Sequence, residues 1–439
     1  MPTLDPSRRF HPASAPDYVP VEPLRGLQLE RLKRTVRRAH DRVPLFRSRC
    51  AERGVSPDDL ATLEDLARFP FSVGTDLRDA YPFGLLASPM EEVARLHAST
   101  GSGGNPTVVA YTRSDLEAWT QALVRCLASC GLGPGEVVHN AFGYGLLTGG
   151  LGTHYGAEAL GATVIPVSGG NTDRQIAILR DFGVTAICCT PSYFVHVVER
   201  ARELGADFSR LRTGIFGAEP WSEAMRRRIE ADTGIAAFDL YGVSEVAGPG
   251  VAVECFARSG LHVLEDHVYP EIVDPASGEV LPDGVEGELV LTTLSRDAMP
   301  MIRYRTRDLT AMVPEPCACG RTLRRIRRIA RRSDDVLIVR GVSVFPGQVE
   351  AAILAVEGTL PHFQIVLRRE KGLDEMEVRV EVTPAVFSDQ IGSLEALRQK
   401  LAQSLEHRLG LRARVSLVGP RTLQRSEGRA QRVLDERKM

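Results

Sequence analysis

Residues 137–190 read VVHNAFGYGLLTGGLGTHYGAEALGATVIPVSGGNTDRQIAILRDFGVTAICCT, and their texture decides the fold. Short apolar runs, VVHNAF (137–142), TVIPV (163–167) and TAICCT (185–190), are separated by longer stretches. The pattern continues downstream with TGIFG (213–217) and AAFDLYG (236–242). Runs that are apolar throughout, rather than alternating, suit strands buried on both faces. Amphipathic spacing predicts helices near 114–130, 173–183, 192–204 and 222–233. Strand–helix alternation of this kind predicts a parallel sheet covered by helices, with ligands beyond the carboxyl ends of the strands. Glycine-rich or acidic turns fall at those ends: FGYGLLTGG (142–150), GAEP (217–220) and YGVSE (241–245).

Upstream, residues 24–49 carry helical apolar spacing and many arginines, which predicts a surface helix. Downstream, 268–313 is turn-rich and predicts hairpins. From about 333 the spacing predicts strands near 335–339, 364–369, 376–382 and 413–418, and helices near 347–356 and 389–409. The arginine-dense segment RIRRIARRSDD (325–335) reads as a hinge. The expected fold class is therefore α/β. A large N-terminal region (1–332) has parallel sheets covered by helices plus a β-rich subdomain, and a small mobile α+β domain (333–439) follows.

The 439 residues exceed what one core usually serves. A hydrophobic share of 43% and a charged share of 25% are those of a soluble globular protein. The net charge of −2 argues against nucleic acid or an anionic membrane as partner. No apolar run approaches the ~18 residues of a membrane span. The opening MPTLDPSRRF lacks the order of a secretory signal, so the expected compartment is the cytoplasm, with reduced thiols. Only Lys33, Lys371, Lys400 and Lys438 are lysine among 54 basic residues.

A second informative stretch is HASTGSGGNPTVVAYT (97–112). Ser99, Thr100, Gly101, Ser102, Gly103 and Gly104 make a loop rich in N–H groups and hydroxyls, suited to a phosphate. On these residues alone a structural turn is an equal reading, since the lysine of the GxxxxGK[ST] loop is missing.

Together with GAEP (217–220), YGVSE (241–245) and the turn at 303–309, this loop resembles the motif set of adenylate-forming enzymes. Within that superfamily the chain resembles the phenylacetate–coenzyme A ligase family over nearly its full length. The most specific parts are residues 142–175, GAEPW (217–221), DLYGVSEVAGPGV (239–251), MIRYRTRDLT (301–310) and SDDVLIVRGVSVFPGQVE (333–350). The resemblance implies a reaction that joins a carboxylic acid to ATP, expels pyrophosphate and passes the acyl group to coenzyme A. It implies that 99–104 hold phosphate and that Glu245 holds Mg²⁺. Asp308 would receive the ribose hydroxyls, and Gly217, Ala218, Glu219 and Pro220 would lie against adenine. Arg332 would reach ribose or phosphate, with Arg331 as its neighbouring rival. Tyr241 would stack near the adenine and help shape the acyl pocket with Phe142, Tyr144 and Gly145, and core packing is the plainer reading for Phe142 and Tyr144. Asp334 would be the hinge, and Arg340 and Gly341 would meet the thiol donor. A homodimer is implied as well.

Cys317 and Cys319 form a C-x-C knuckle in PEPCACGRT, and Cys255 and His262 lie in ECFARSGLH. Three thiolates and one imidazole complete a closed structural Zn²⁺ set, which the resemblance strengthens. Buried hydrophobic cysteines are the plainer alternative, and His267 is a second candidate imidazole.

The chain departs from the family pattern twice. Arg429 follows Gly428 where a lysine is expected to bridge the carboxylate and the α-phosphate, and Asn105 precedes Pro106 where the phosphate loop usually has lysine. The implied function is activation of an aromatic or arylalkanoic acid and its transfer to coenzyme A. The alternatives are transfer to an amine or a carrier-protein thiol, and a degenerate protein that binds nucleotide or acyl ligand without turnover.

Overall fold

In a computed structural model of the chain, the residues described are 11–99, 105–329, 331–340, 342–370, 373–387, 391–424 and 432–438. They form two compact units. One comprises Met1–Cys189, Ala201–Ala218 and Ile235–Arg328, the other Thr190–Arg200, Glu219–Gly234 and Ile329–Met439.

The chain begins with α1 (Val21–Arg42) and α2 (Pro44–Arg53), where the apolar spacing predicts one helix. Pro44 makes the difference. It lacks the N–H that would continue α1, and its fixed φ suits the first position of a new helix. Next come α3 (Gly74–Asp79) and an antiparallel hairpin of β1 (Val93–Ala98) with β2 (Val108–Thr112). Then follow α4 (Arg113–Ser129), β3 (Val137–Asn140), α5 (Thr148–Ala159), β4 (Thr163–Ile165), α6 (Thr172–Asp181) and β5 (Ala186–Cys189). The alternation continues with α7 (Pro191–Glu203), β6 (Thr213–Gly217), α8 (Glu223–Thr233) and β7 (Ala236–Val243). Of these, α8 and most of α7 fall in the second unit, and strands β8 (Gly248–Glu254), β9 (Leu261–Val263), β10 (Val268–Val273), β11 (Gly287–Thr293), β12 (Tyr304–Thr310), β13 (Met312–Val313) and β14 (Arg325–Ile326) complete the first.

Its main sheet has the order β13-β14-β9-β8-β7-β6-β5-β3-β4. From β4 to β7 every neighbouring pair is parallel, and β7 onward is antiparallel. The chain leaves β3 for β4 on one side, then returns to β5 on the other. The carboxyl end of β3 therefore lies at a topological switch point, where such sheets bind ligands. The five parallel strands are those read from the apolar runs. The hairpins expected over 268–313 are β10, β11 and β12, joined antiparallel.

Helix α5 has no counterpart in the sequence pattern, because TGGLGTHYGAEA has the glycine content of a loop. Packing on α4 overrides that propensity. A Cβ on Gly152 would stand 2.5 Å from the Trp119 ring, and one on Gly156 2.4 Å from the Leu123 side chain. The glycines are what lets the two helices approach.

A buried charge network ties the N-terminal segment to α4. Arg125 donates to Asp17 (2.8 Å) and to Asp266 (2.8 Å), while Arg321 donates to Asp17 (3.0 Å) and Ser129 (2.9 Å). Removing one member would strand the others' charge, at about 3–5 kcal/mol. Beside it, His267 contacts the Ser295 hydroxyl at 2.9 Å. Burial drives the His267 imidazole down to about 4, against the opposing pull of Asp266 and with help from Arg125 and Arg31. An unfolded chain takes up that proton near 6.5, and the folded chain resists it. Stability is then complete above pH 6.5 and falls by up to about 3 kcal/mol as pH drops to 4. Melting temperatures measured between pH 7 and pH 4 should show this loss, and His267→Gln should flatten it. Equal slopes in both proteins would contradict the assignment.

In the second unit, β15 (Arg331–Arg332) precedes a hairpin of β16 (Leu337–Val339) and β17 (Val342–Val344). Then come α9 (Pro346–Leu354), β18 (Thr359–Glu370), β19 (Leu373–Val382), α10 (Pro384–Phe387), α11 (Ile391–Leu409), β20 (Arg414–Val418) and β21 (Val433–Asp435). The last four-stranded sheet runs β20-β19-β18-β21. Val349 and Ile353 of α9 and Leu401 and Leu405 of α11 pack on Ile365, Val378 and Val380. Among the described residues, no helix is long and apolar enough to cross a membrane.

Candidate active site

Parallel strands β3, β6 and β7 deliver three of the predicted turns to one edge of the sheet. Phe142 follows β3 and is buried, Gly217 ends β6, and Tyr241 lies near the end of β7. Ala218 has φ +68°, a left-handed conformation uncommon for a residue with a Cβ. Strained backbone at the end of a strand is a frequent companion of ligand sites.

Asp308 reaches this edge from the other sheet. The ladder of β11 and β12 pairs Val290 with Arg305 but Glu288 with Leu309, so β12 holds two extra residues. Such bulges re-aim side chains. Glu288 anchors this one, accepting from the Arg305 guanidinium (3.1 Å) and the Arg307 N–H (3.0 Å). The Tyr241 hydroxyl donates to the Asp308 carboxylate at 2.5 Å, although 67 residues separate them. Two predicted site residues thus touch.

Glu245 sits on the turn that links β7 to β8. The Val246 and Ala247 N–H groups donate to the Val243 carbonyl (3.0 Å each), closing the turn. The buried Arg296 guanidinium holds it from behind, donating to Val246 (2.7 Å) and to Ala110 of β2 (2.6 Å). Arg296 carries no signal in the sequence, where it is one of 54 basic residues.

Ser99 follows β1, and its N–H donates to the Thr107 carbonyl at 3.0 Å. This closes the predicted phosphate loop at its base. Thr100, Gly101, Ser102, Gly103 and Gly104 lie outside the described residues. The Ala98 N–H donates to the Leu146 carbonyl (2.9 Å), and His97 Nδ1 donates there too (3.1 Å), so the base of this loop abuts residues 142–147.

Tyr144 is half-buried, and Gly145 follows it, exposed, with φ +82°. The Tyr144 hydroxyl accepts from Asn140 (2.8 Å) and lies 3.2 Å from His154 Nδ1. Burial pushes its pKa up to about 12, so it stays a donor across the neutral range.

In the second unit, the Glu219 carboxylate accepts the Ser192 N–H at 2.8 Å, and Pro220 follows it. Arg332 and Asp334 pair with each other through two bonds (2.9 and 3.1 Å). The rival Arg331 stacks on the Phe345 ring at 5.0 Å. Arg340 donates to the Asp374 carbonyl (2.7 Å). Sequence reasoning misses the buried Glu350, which binds the Arg432 guanidinium (2.6 Å) and the Ser222 N–H (3.2 Å). Gly341 and Arg429 lie outside the described residues.

Cys255, His262, Cys317 and Cys319 converge, with their ligand atoms all within 4.8 Å of one another. Cys255 Sγ lies 3.6 Å from Cys317 Sγ, and Cys319 Sγ lies 3.3 Å from His262 Nε2. Tetrahedral bonds of about 2.3 Å to sulfur and 2.0–2.1 Å to nitrogen imply ligand separations near these. His262 donates its Nδ1–H to the Leu323 carbonyl (3.1 Å), which leaves Nε2 facing the thiols. His267 is engaged elsewhere, with Ser295.

The AMP-binding enzyme family profile matches residues 32–295, and the AMP-binding enzyme C-terminal domain profile matches 341–437. The phenylacetate-coenzyme A ligase of Thermus thermophilus is 49% identical over 438 residues, covering 96% of this chain and 98% of that protein. The chain belongs to the phenylacetate–coenzyme A ligase family. The Escherichia coli phenylacetate-coenzyme A ligase is 48% identical, covering 95% of this chain and 96% of its own length. Among solved structures, a 2-hydroxyisobutyryl-CoA ligase in the postadenylation state aligns with a TM-score of 0.92 at 30% identity, covering 100% of this chain and 94% of that one. Membership in the phenylacetate–coenzyme A ligase family makes the chain an adenylate-forming acid–coenzyme A ligase.

Proposed function

We propose that this ligase activates an aromatic or arylalkanoic acid with ATP, as the acyl adenylate, and transfers the acyl group to coenzyme A. The observation that carries the reading is the full-length 49% identity to phenylacetate-coenzyme A ligase, spanning both the AMP-binding region and its C-terminal domain. Its support within the first unit is the Tyr241–Asp308 bond at the carboxyl edge of the parallel strands.

In this reading, residues 99–104 cradle phosphate, and the carboxylate of Glu245 suits Mg²⁺ shared with phosphate oxygens. Asp308 accepts the ribose hydroxyls, Gly217–Pro220 lie along the adenine, and Phe142, Tyr144, Gly145 and Tyr241 line the acyl pocket. Arg332 serves ribose or phosphate, and residues 333–439 act as the lid, with Asp334 as hinge and Arg340 and Gly341 toward the thiol. Cys255, His262, Cys317 and Cys319 hold Zn²⁺ in a closed set that leaves no position for water, so the metal pins the β-rich region. The cytoplasm is the expected compartment, and a homodimer is the expected assembly.

The test is a panel of acids assayed for pyrophosphate release with and without coenzyme A, with the products weighed by mass spectrometry. The expected result is acid-dependent release without the thiol and an acyl-coenzyme A with it. No release with any aryl acid would overturn the reading. Arg429 keeps the charge of the family lysine, but its planar fork is not a point charge. Arg429→Lys is expected to change ATP–pyrophosphate exchange by at least about tenfold, and an unchanged rate would show the position to be indifferent.

A further inference from the structure

Asn140 ends β3 at the switch point of the sheet and is fully buried. A buried primary amide has two donors and two acceptor positions to satisfy. All four of Asn140's partners belong to one stretch of chain. Its Nδ2 donates to the Tyr144 hydroxyl (2.8 Å) and the Gly150 carbonyl (2.8 Å). Its Oδ1 accepts the Phe142 N–H (3.4 Å) and lies 3.0 Å from the Thr153 hydroxyl. The carbonyl partner fixes which side is the amide nitrogen. The loop closes on itself as well, since the Gly150 N–H donates to the Gly143 carbonyl at 3.0 Å.

A second ring of bonds surrounds this one. The Asn140 carbonyl accepts the Ser168 N–H (3.2 Å), and the Ser168 hydroxyl accepts the Tyr144 N–H (3.4 Å). Gln175 holds the Ser168 and Gly170 carbonyls (3.0 and 2.6 Å), and the buried His139 donates to Gln175 Oε1 (2.8 Å). On the far side, the Tyr144 hydroxyl continues to His154, whose Nε2 lies 3.2 Å from Glu158. Among these supports, Asn140 is the side chain that bonds the loop at the most points, at Phe142, Tyr144, Gly150 and Thr153.

We propose that Asn140 is a positioning residue that sets which carboxylic acids the enzyme accepts, by holding the 142–150 loop in one conformation. The proposal rests on the reading of Phe142, Tyr144 and Gly145 as acyl pocket. A pocket discriminates between acids by small differences in fit, and a misplacement near 1 Å already costs about 10²-fold in rate. No apolar residue replaces the four bonds, and aspartate would supply acceptors where Gly150 needs a donor.

The test uses the full-length enzyme, with benzoate, phenylacetate and 3-phenylpropanoate as acids and pyrophosphate release as readout. Asn140→Ala is expected to raise KM for the preferred acid at least about tenfold, to compress the ranking of kcat/KM across the panel, and to leave KM for ATP within about twofold. Tyr144→Phe removes one of the four bonds and should move the same quantities about threefold. Equal shifts for acid and ATP, or an unchanged ranking in both variants, would overturn the proposal. If Asn140→Ala does not fold, Thr153→Val, which removes another of the four bonds at a residue outside the assigned pocket, decides in its place. Phe142→Ala separates the two levels. A ranking altered by Phe142→Ala but not by the other two sinks only the role of Asn140. A ranking that Phe142→Ala leaves intact sinks the pocket reading, and this proposal with it.

Discussion

Asp308→Asn is expected to lower kcat/KM for ATP by about 10²–10³-fold. The magnitude follows from the bonds lost. Each hydrogen bond to a carboxylate contributes about 1.5–3 kcal/mol, and a ribose diol offers two. Asparagine has nearly the same shape and still accepts the Tyr241 hydroxyl, which now donates to Asp308 at 2.5 Å. The bulge of β12 therefore has no reason to relax, and the loss is one of charge. The decisive comparison uses 2′,3′-dideoxy-ATP. The native enzyme should discriminate strongly against it, and the variant should not, because the missing hydroxyls and the missing charge remove the same interaction. Discrimination that survives the substitution would detach Asp308 from the ribose.

The second large effect concerns the Cys255–His262–Cys317–Cys319 cluster. Cys319→Ser, or prolonged chelation of the native protein, is expected to destabilise the chain by about 4 kcal/mol or more, a fall near 10 °C in melting temperature. Metal analysis should find about one zinc per native chain and almost none in the variant. Because the set is closed, folded variant at low temperature should keep its rate of ATP–pyrophosphate exchange. Loss of exchange without loss of melting temperature would make the metal catalytic instead. Zinc-free native protein with an unchanged melting temperature would reduce the cluster to buried thiols.

Much of the parallel sheet is legible in the sequence because fully buried strands need unbroken apolar runs, and TAICCT and TGIFG supply them. Helix α5 is not, since its glycines answer to Trp119 and Leu123 across the interface rather than to helix propensity. The break at Pro44 is legible in principle, but the apolar spacing that continues through it masks the proline. At the candidate site, turns are readable and contacts are not. Nothing in YGVSE or YRTRDL says that Tyr241 and Asp308 meet, and Asn140 is one polar letter in VVHNAF. Hub residues of this kind are defined by the partners that fold around them, which a linear pattern does not display. The choice of His262 over His267 is the contrary case. His262 is the first imidazole read from the sequence and His267 the alternative, and the structure groups His262 with the three thiols.

The close seating of α5 on α4 limits how this ligase can diversify. With Gly152 and Gly156 pressed against Trp119 and Leu123, the helix has no slack to slide or tilt when a bulkier guest arrives. On the proposed reading of Phe142, Tyr144 and Gly145 as acyl pocket, new substrate range would then come from exchanging side chains there, in front of a wall that stays put. A designer of variants should leave that wall alone and randomise the short stretch before it.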